Sequence, residues 1–159
     1  GAFADCKRGL EAVPGMIEAL DEQVLRRGKP FFGICVGMQL MAQRGFEKEV
    51  IEGLGWIAGE VRHIQPSDSA LKVPHMGWND IAVVRSAPPF AGIASGSYCY
   101  FVHSYYVEPA DPAVIATVTE YGKPFASAVW KDNVVACQFH PEKSQAVGLH
   151  LIKTFGAWS

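Results

Sequence analysis

A chain of 159 residues with 49% hydrophobic and 19% charged side chains has the composition of a packed globular protein, which excludes an extended disordered one. Its formal charge is −2, and the basic pairs Lys7-Arg8 and Arg26-Arg27 are too short and scattered to track a phosphate backbone, so nucleic acid is not expected as a partner. The longest apolar run, residues 31–38, falls far short of the roughly 18 residues of a membrane span, and the opening residues carry no signal-like pattern. One domain over residues 1–159, cytoplasmic and away from membranes, is the expectation.

In chain order, Met16, Ala19, Leu20, Val24 and Leu25 recur at helical spacing and predict an amphipathic helix over 16–27, with acidic residues early and Arg26 and Arg27 late. Gly28 supplies a left-handed stop, and Pro30 forces a new element. Residues 30–34 read as a buried strand, apolar on both faces, which suits a parallel sheet covered by helices. A second helix is predicted from about 37 to 45, and the helix, strand, helix order argues for an α/β fold.

The second half is β-rich, with strands predicted at 61–64, 81–85, 98–107, 114–118, 126–130 and 134–139. Lys131-Asp132-Asn133 supplies turn formers for a hairpin between the last two. Ser144 is placed to cap a closing helix carrying Val147, Leu149, Leu151, Ile152 and Phe155.

Four cysteines, Cys6, Cys35, Cys99 and Cys137, are widely spaced, with no CxxC or HxxxH pair; reduced thiols and no metal site are expected. Three read as small buried hydrophobes. Cys35 differs, because Gly33-Ile34-Cys35-Val36-Gly37 is a G-x-C-x-G version of the nucleophile elbow, in which a strained strand-to-helix turn presents the side chain. Side chains at Gly33 and Gly37 are expected to collide with the neighbouring strand and helix, and the first helical turn is expected to favour the thiolate.

A base is sought at Gln138-Phe139-His140-Pro141-Glu142. Extended residues two apart share a side, so Glu142 can hold one nitrogen of His140 while the other addresses Cys35. Pro141 keeps that segment extended. In this reading Cys35 is the nucleophile, His140 the base and Glu142 the orienting acid. Of the other histidines, His63 and His150 read as ordinary surface residues, His103 as lining the pocket, and His75 as part of a surface interface loop at 74–79 with an aromatic anchor.

GICVGMQ followed far downstream by QFHPEKS is similar to the class I, triad-type glutamine amidotransferases, whose elbow is G-x-C-x-G-x-Q. Within that class, PHMGWN at 74–79, YFVHSYYV at 100–107 and HPEKSQ resemble the histidine-biosynthesis branch, the glutamine amidotransferase subunits of imidazole glycerol phosphate synthase. The resemblance covers nearly the whole chain. It implies a flavodoxin-like α/β fold, with a central mostly parallel sheet, helices on both faces and a small antiparallel β-rich part. It also implies hydrolysis of L-glutamine to glutamate and ammonia, and passage of the ammonia to a (β/α)8 cyclase barrel partner, with no cofactor.

Carried over by residue, the resemblance makes the Val36 amide an oxyanion donor and gives Gln39, His103, Ser104 and Tyr105 the substrate cradle. It turns Met76, Trp78, Asn79 and Lys143 toward the barrel. The family has a strand, a helix and a P-G-V-G turn ending at the position of Gly1, so a first βαβ portion is expected beyond these residues. Two other readings stay open: a catalytically inert binding subunit with an incomplete oxyanion turn, and a stand-alone γ-glutamyl cysteine hydrolase.

Overall fold

A computed structural model describes residues 2–158. The chain begins with α1 (Phe3–Glu11), which the sequence patterning did not single out. It seats Phe3 in the core and lays Cys6 and Leu10 against it, a one-turn repeat typical of a half-buried helix. The helix predicted over 16–27 is present in two parts: α2 (Met16–Leu20) widens into a π-helical stretch at Asp21–Arg26. Asn133 Nδ2 donates to the Val24 carbonyl near the end of that stretch and to the Lys29 carbonyl just beyond it, at 2.8 and 2.7 Å, and so ties the end of the helix to the chain that follows. Gly28, at φ 67°, ends it as expected.

After β1 (Phe31–Ile34) comes α3 (Val36–Leu40), shorter than the helix predicted to residue 45. The Leu40, Met41 and Ala42 carbonyls accept from Leu54, Ile57 and Gly55 at 2.7, 2.9 and 3.1 Å, so another helical turn has no acceptors. The chain instead extends as β2 (Ala42–Gly45), which pairs with β3 (Ile51–Glu52) and β4 (Ile57–His63).

The strand predicted at 81–85 starts earlier, as β5 (His75–Val83), and the run at 98–107 breaks at Ser104 into β6 (Ser97–His103) and β7 (Tyr105–Pro109). Then follow β8 (Ile115–Glu120), β9 (Pro124–Lys131), β10 (Val134–Cys137) and the closing α4 (Gln145–Gly156). The expected turn between β9 and β10 is there, with Lys131 opposite Val134 and Asp132 at φ 53°.

Six strands form one sheet in the order β1-β10-β9-β8-β5-β6, and four form another in the order β3-β2-β4-β7. The α/β class holds, with mixed sheets: among the described strands the parallel pairs are β1 with β10 and β2 with β4, and the other pairs are antiparallel, some between chain neighbours and two, β4 with β7 and β5 with β8, between strands further apart. Two apolar clusters result. Phe3, Met38, Met41 and Trp56 fill one beneath α1 and α3, and Ile81, Phe101, Phe139 and Leu151 fill the other beneath α4. Among the described residues no helix is long and apolar enough to cross a membrane.

Candidate active site

Parallel pairing places Ile34 opposite Cys137, and the Cys35 N–H donates to the Cys137 carbonyl at 2.8 Å. The end of the elbow strand therefore lies beside the strand that leads into His140. Cys35 itself has φ 53° and ψ −111°, a conformation that costs a side-chain-bearing residue roughly 1–3 kcal/mol and is held by the flanking pairing. Gly33 makes the turn possible: a Cβ there would lie 2.5 Å from Met41 Cε and 3.0 Å from the Gly37 carbonyl carbon. Gly37 differs from expectation, because a Cβ added to it meets nothing within 4 Å among the described residues. Only the upstream glycine is sterically demanded.

The thiolate expected at the head of α3 is also corrected. Burial raises the Cys35 pKa above its ordinary value, the Glu142 charge adds to the rise, and the Val36 N–H and Gln138 amide only partly oppose it. With five residues α3 has little dipole to offer. The resting group is a thiol. Burial raises the other core thiols too, Cys99 to about 12 and Cys137 well above its ordinary value, and both pack in the apolar cluster beneath α4.

His140 and Glu142 meet, with Nδ1 to Oε1 at 2.7 Å, but not through the extended segment that was expected, since Glu142 lies in a 3-10 turn. Nε2 is the nitrogen left for another partner. Pro141 opens a 3-10 turn over Pro141–Lys143, and Ser144 holds that turn from below. Its hydroxyl donates to the His140 carbonyl at 2.6 Å and accepts the Tyr100 N–H at 3.0 Å. Ser144 is thus the N-terminal flank of α4 without a capping bond; its oxygen is committed to the histidine's backbone. Among the described residues no hydrogen bond joins Cys35 to His140. The sulfur's side-chain partner is Gln138, whose Nε2 donates to Sγ at 3.5 Å.

A cavity of about 250 Å³ opens beside Cys35, and all five expected cradle residues, Val36, Gln39, His103, Ser104 and Tyr105, line it. Buried Gln39 donates through Nε2 to the Tyr105 carbonyl and to Gln138 Oε1, both at 3.1 Å. His140 and Glu142 stand outside that lining. A larger cavity of about 420 Å³, between Phe46, Arg62, Tyr106 and Lys123, has neither Cys35 nor His140 in its lining.

The 74–79 segment is a strand, not a surface loop, because its backbone pairs with β6 from His75 opposite His103 to Ile81 opposite Ser97. Strand alternation then divides the expected interface residues. Met76 and Trp78 project outward, 61% and 48% exposed, and Lys143 joins that face with Nζ 5.8 Å above the Tyr100 ring. Asn79 turns the other way, toward buried His75. His63 and His150 are exposed, as expected of ordinary surface residues.

Sequence reasoning missed Gln138 and the inward role of His75. For Gln138 a signal was available, since it directly follows the strand that pairs with the elbow strand and sits two residues before the expected base, and its Nε2 does reach Cys35. For His75 the aromatic loop reading obscured a strand whose alternate positions His75, Gly77, Asn79 and Ile81 share one side.

The glutamine amidotransferase class-I family matches residues 4–156. The chain is 55% identical over 161 aligned positions to the imidazole glycerol phosphate synthase subunit HisH of Brucella suis, covering 99% of this chain and 74% of that protein. It is 53% identical to the HisH subunit of Rhodospirillum rubrum, covering 100% of this chain and 75% of that one. Among solved structures, a glutamine amidotransferase superimposes with a TM-score of 0.63 at 19% identity, over 89% of this chain and 69% of the other. A glutamine amidotransferase from Thermotoga maritima gives a TM-score of 0.60 at 19% identity, over 87% and 52% respectively.

Proposed function

This chain belongs to the glutamine amidotransferase class-I family, and on that premise we propose that it is the glutaminase subunit of an imidazole glycerol phosphate synthase. It hydrolyses L-glutamine to glutamate and ammonia and hands the ammonia to a (β/α)8 cyclase barrel in histidine biosynthesis. The observation that carries the reading is the side-by-side ending of β1 and β10. That pairing brings the Cys35 elbow to the strand that leads into Gln138 and on to the His140–Glu142 pair.

The chemistry follows from that placement. Glutamine enters the cavity with its carboxamide toward Sγ and its amino-acid head toward the 103–105 segment. His140 Nε2 takes the thiol proton as sulfur attacks the amide carbon, and Glu142 stabilises the imidazolium that forms. The Val36 N–H faces the developing oxyanion. His140 returns the proton to nitrogen, the C–N bond breaks, and ammonia leaves a γ-glutamyl thioester on Cys35. Water then attacks the thioester, losing its proton to His140, and glutamate departs as the sulfur is reprotonated.

A resting thiol, with no hydrogen bond between Cys35 and His140, supports a subunit that idles until a partner and its ligand adjust the site. The exposed Met76, Trp78 and Lys143 face supports the barrel's docking place. The four cysteines are unpaired, and a nucleophile that must remain reduced suits the cytoplasm. Glutamate release is the test, measured with and without an added cyclase barrel. Cys35→Ala should abolish it, and turnover should rise when the barrel is present; hydrolysis retained in Cys35→Ala would end the proposal.

A further inference from the structure

The buried polar side chains behind the nucleophile form one continuous hydrogen-bonded chain whose outer half the glutaminase chemistry does not use. Asn79 Nδ2 donates to the Glu120 carbonyl at 2.9 Å and meets His75 Nε2 at 3.2 Å. His75 Nδ1 lies 2.8 Å from His103 Nε2, and His103 Nδ1 lies 2.8 Å from the Tyr105 carbonyl. That carbonyl also accepts from Gln39, which bonds Gln138, which in turn donates to Cys35 Sγ.

The direction of every bond is fixed by its ends. A carbonyl oxygen only accepts, so His103 carries its proton on Nδ1 and its Nε2 must accept. His75 therefore carries its proton on Nδ1, and its own Nε2 accepts from the Asn79 amide. Burial holds both rings neutral at physiological pH, each with its pKa lowered to about 4, so each has one proton and this arrangement alone satisfies both nitrogens of both rings.

We propose that His75 is a positioning residue for the nucleophile site: its Nδ1–H holds His103 in one tautomer and orientation, which fixes the carbonyl shared with Gln39 and keeps the Gln138 N–H on Cys35. Packing alone does not account for a histidine here. The ring stacks on Phe101 and Tyr121 at centroid distances of 4.7 and 4.0 Å, contacts that a phenylalanine would keep without burying two ring nitrogens.

The kinetic consequence rests on the glutaminase reading; the hydrogen-bonded chain does not. The test compares His75→Phe, which keeps the stacking and loses the donor, with His75→Asn, whose Nδ2 can stand where Nδ1 stood. Both are made in the full-length protein and assayed with a cyclase barrel. His75→Phe should lower kcat/KM for glutamine about tenfold, and His75→Asn should recover most of it although its melting temperature is the lower of the two. A purely packing role gives the opposite order, with activity following stability. The second readout is the pH profile of iodoacetamide alkylation at Cys35, followed by peptide mass spectrometry. Loss of the Gln138 N–H should move it to higher pH in His75→Phe and not in His75→Asn.

Wild-type kcat/KM or a wild-type alkylation profile in His75→Phe overturns the proposal, as does His75→Asn behaving no better than His75→Phe. If the parent releases no glutamate even with the barrel, the glutaminase reading fails. The alkylation profiles then decide the relay by themselves.

Discussion

Gly148 in α4 is where a single methyl group should cost both stability and chemistry. A Cβ built there would sit 1.8 Å from the Pro141 carbonyl oxygen and 2.6 Å from its carbon. To reach even the 3.0 Å that real Cβ contacts respect, helix and turn must part by about 1.2 Å. Neither side yields easily. Leu151, less than one turn further along α4, is fully buried, Pro141 is buried, and Ser144 ties the turn to the His140 carbonyl.

An unobstructed helical glycine usually gains roughly 0.5–1 kcal/mol on becoming alanine. Here overpacking of about 1–3 kcal/mol should outweigh that gain, and each kcal/mol lowers the melting temperature of a domain this size by about 2–4 °C. Because the turn carries Glu142 and follows His140 directly, a displacement of about 1 Å should cost on the order of 100-fold in glutamine turnover. Gly156→Ala is the internal control, since a Cβ there meets nothing within 4 Å. Thermal unfolding by circular dichroism and glutamate release with the barrel present read both effects. A Gly148→Ala protein that melts at or above its parent and keeps full turnover would refute the claim that α4 seats the His140–Glu142 turn.

Three other outcomes follow from the site. Glu142→Gln should move two readouts in opposite directions: glutaminase activity falls because His140 loses its oriented acid, while Cys35 alkylates at lower pH because a charge raising its pKa is gone. Alkylation shifted to higher pH would contradict this. His75 and His103 are held neutral in the fold, with pKa values of about 4 against 6.5, so the unfolded chain binds these protons first. Their stabilisation is complete above pH 6.5 and is lost as pH falls toward 4; urea midpoints should decline across that window, with a shallower decline in His75→Phe, and equal slopes would refute the assignment. Trp78→Ala should weaken barrel binding at least tenfold in a titration calorimeter without changing the melting temperature, because the side chain is 48% exposed. Unchanged affinity would remove Trp78 from the interface.

The elbow and the His-Pro-Glu pair were legible because their geometry is local: a strand-to-helix turn needs Gly33, and residues only two apart stay within reach of each other, although the pair meets across a 3-10 turn and not along extended chain. What stayed hidden was set by distant partners. Helix at 37–45 was the expectation from local pattern, yet the carbonyls of residues 40–42 are claimed by residues 54–57, and the chain leaves the helix for β2. The end of the 16–27 helix is tied down by Asn133, far along the chain, which bonds the Val24 and Lys29 carbonyls. Similarly, the thiol's raised pKa comes from burial and Glu142, which no reading of the elbow alone contains. Asn79 and Trp78 are adjacent in sequence yet face opposite ways once the 74–79 segment becomes a strand paired with β6.

The central claim is that Cys35 carries the γ-glutamyl group. Treating the protein, with a cyclase barrel present, with a glutamine analogue bearing an electrophilic γ-carbon and mapping the adduct by peptide mass spectrometry tests it directly. One adduct should form, on Cys35, and an excess of L-glutamine should suppress it. Label on Cys6, Cys99 or Cys137 instead, or no label while glutamate release continues, would contradict it.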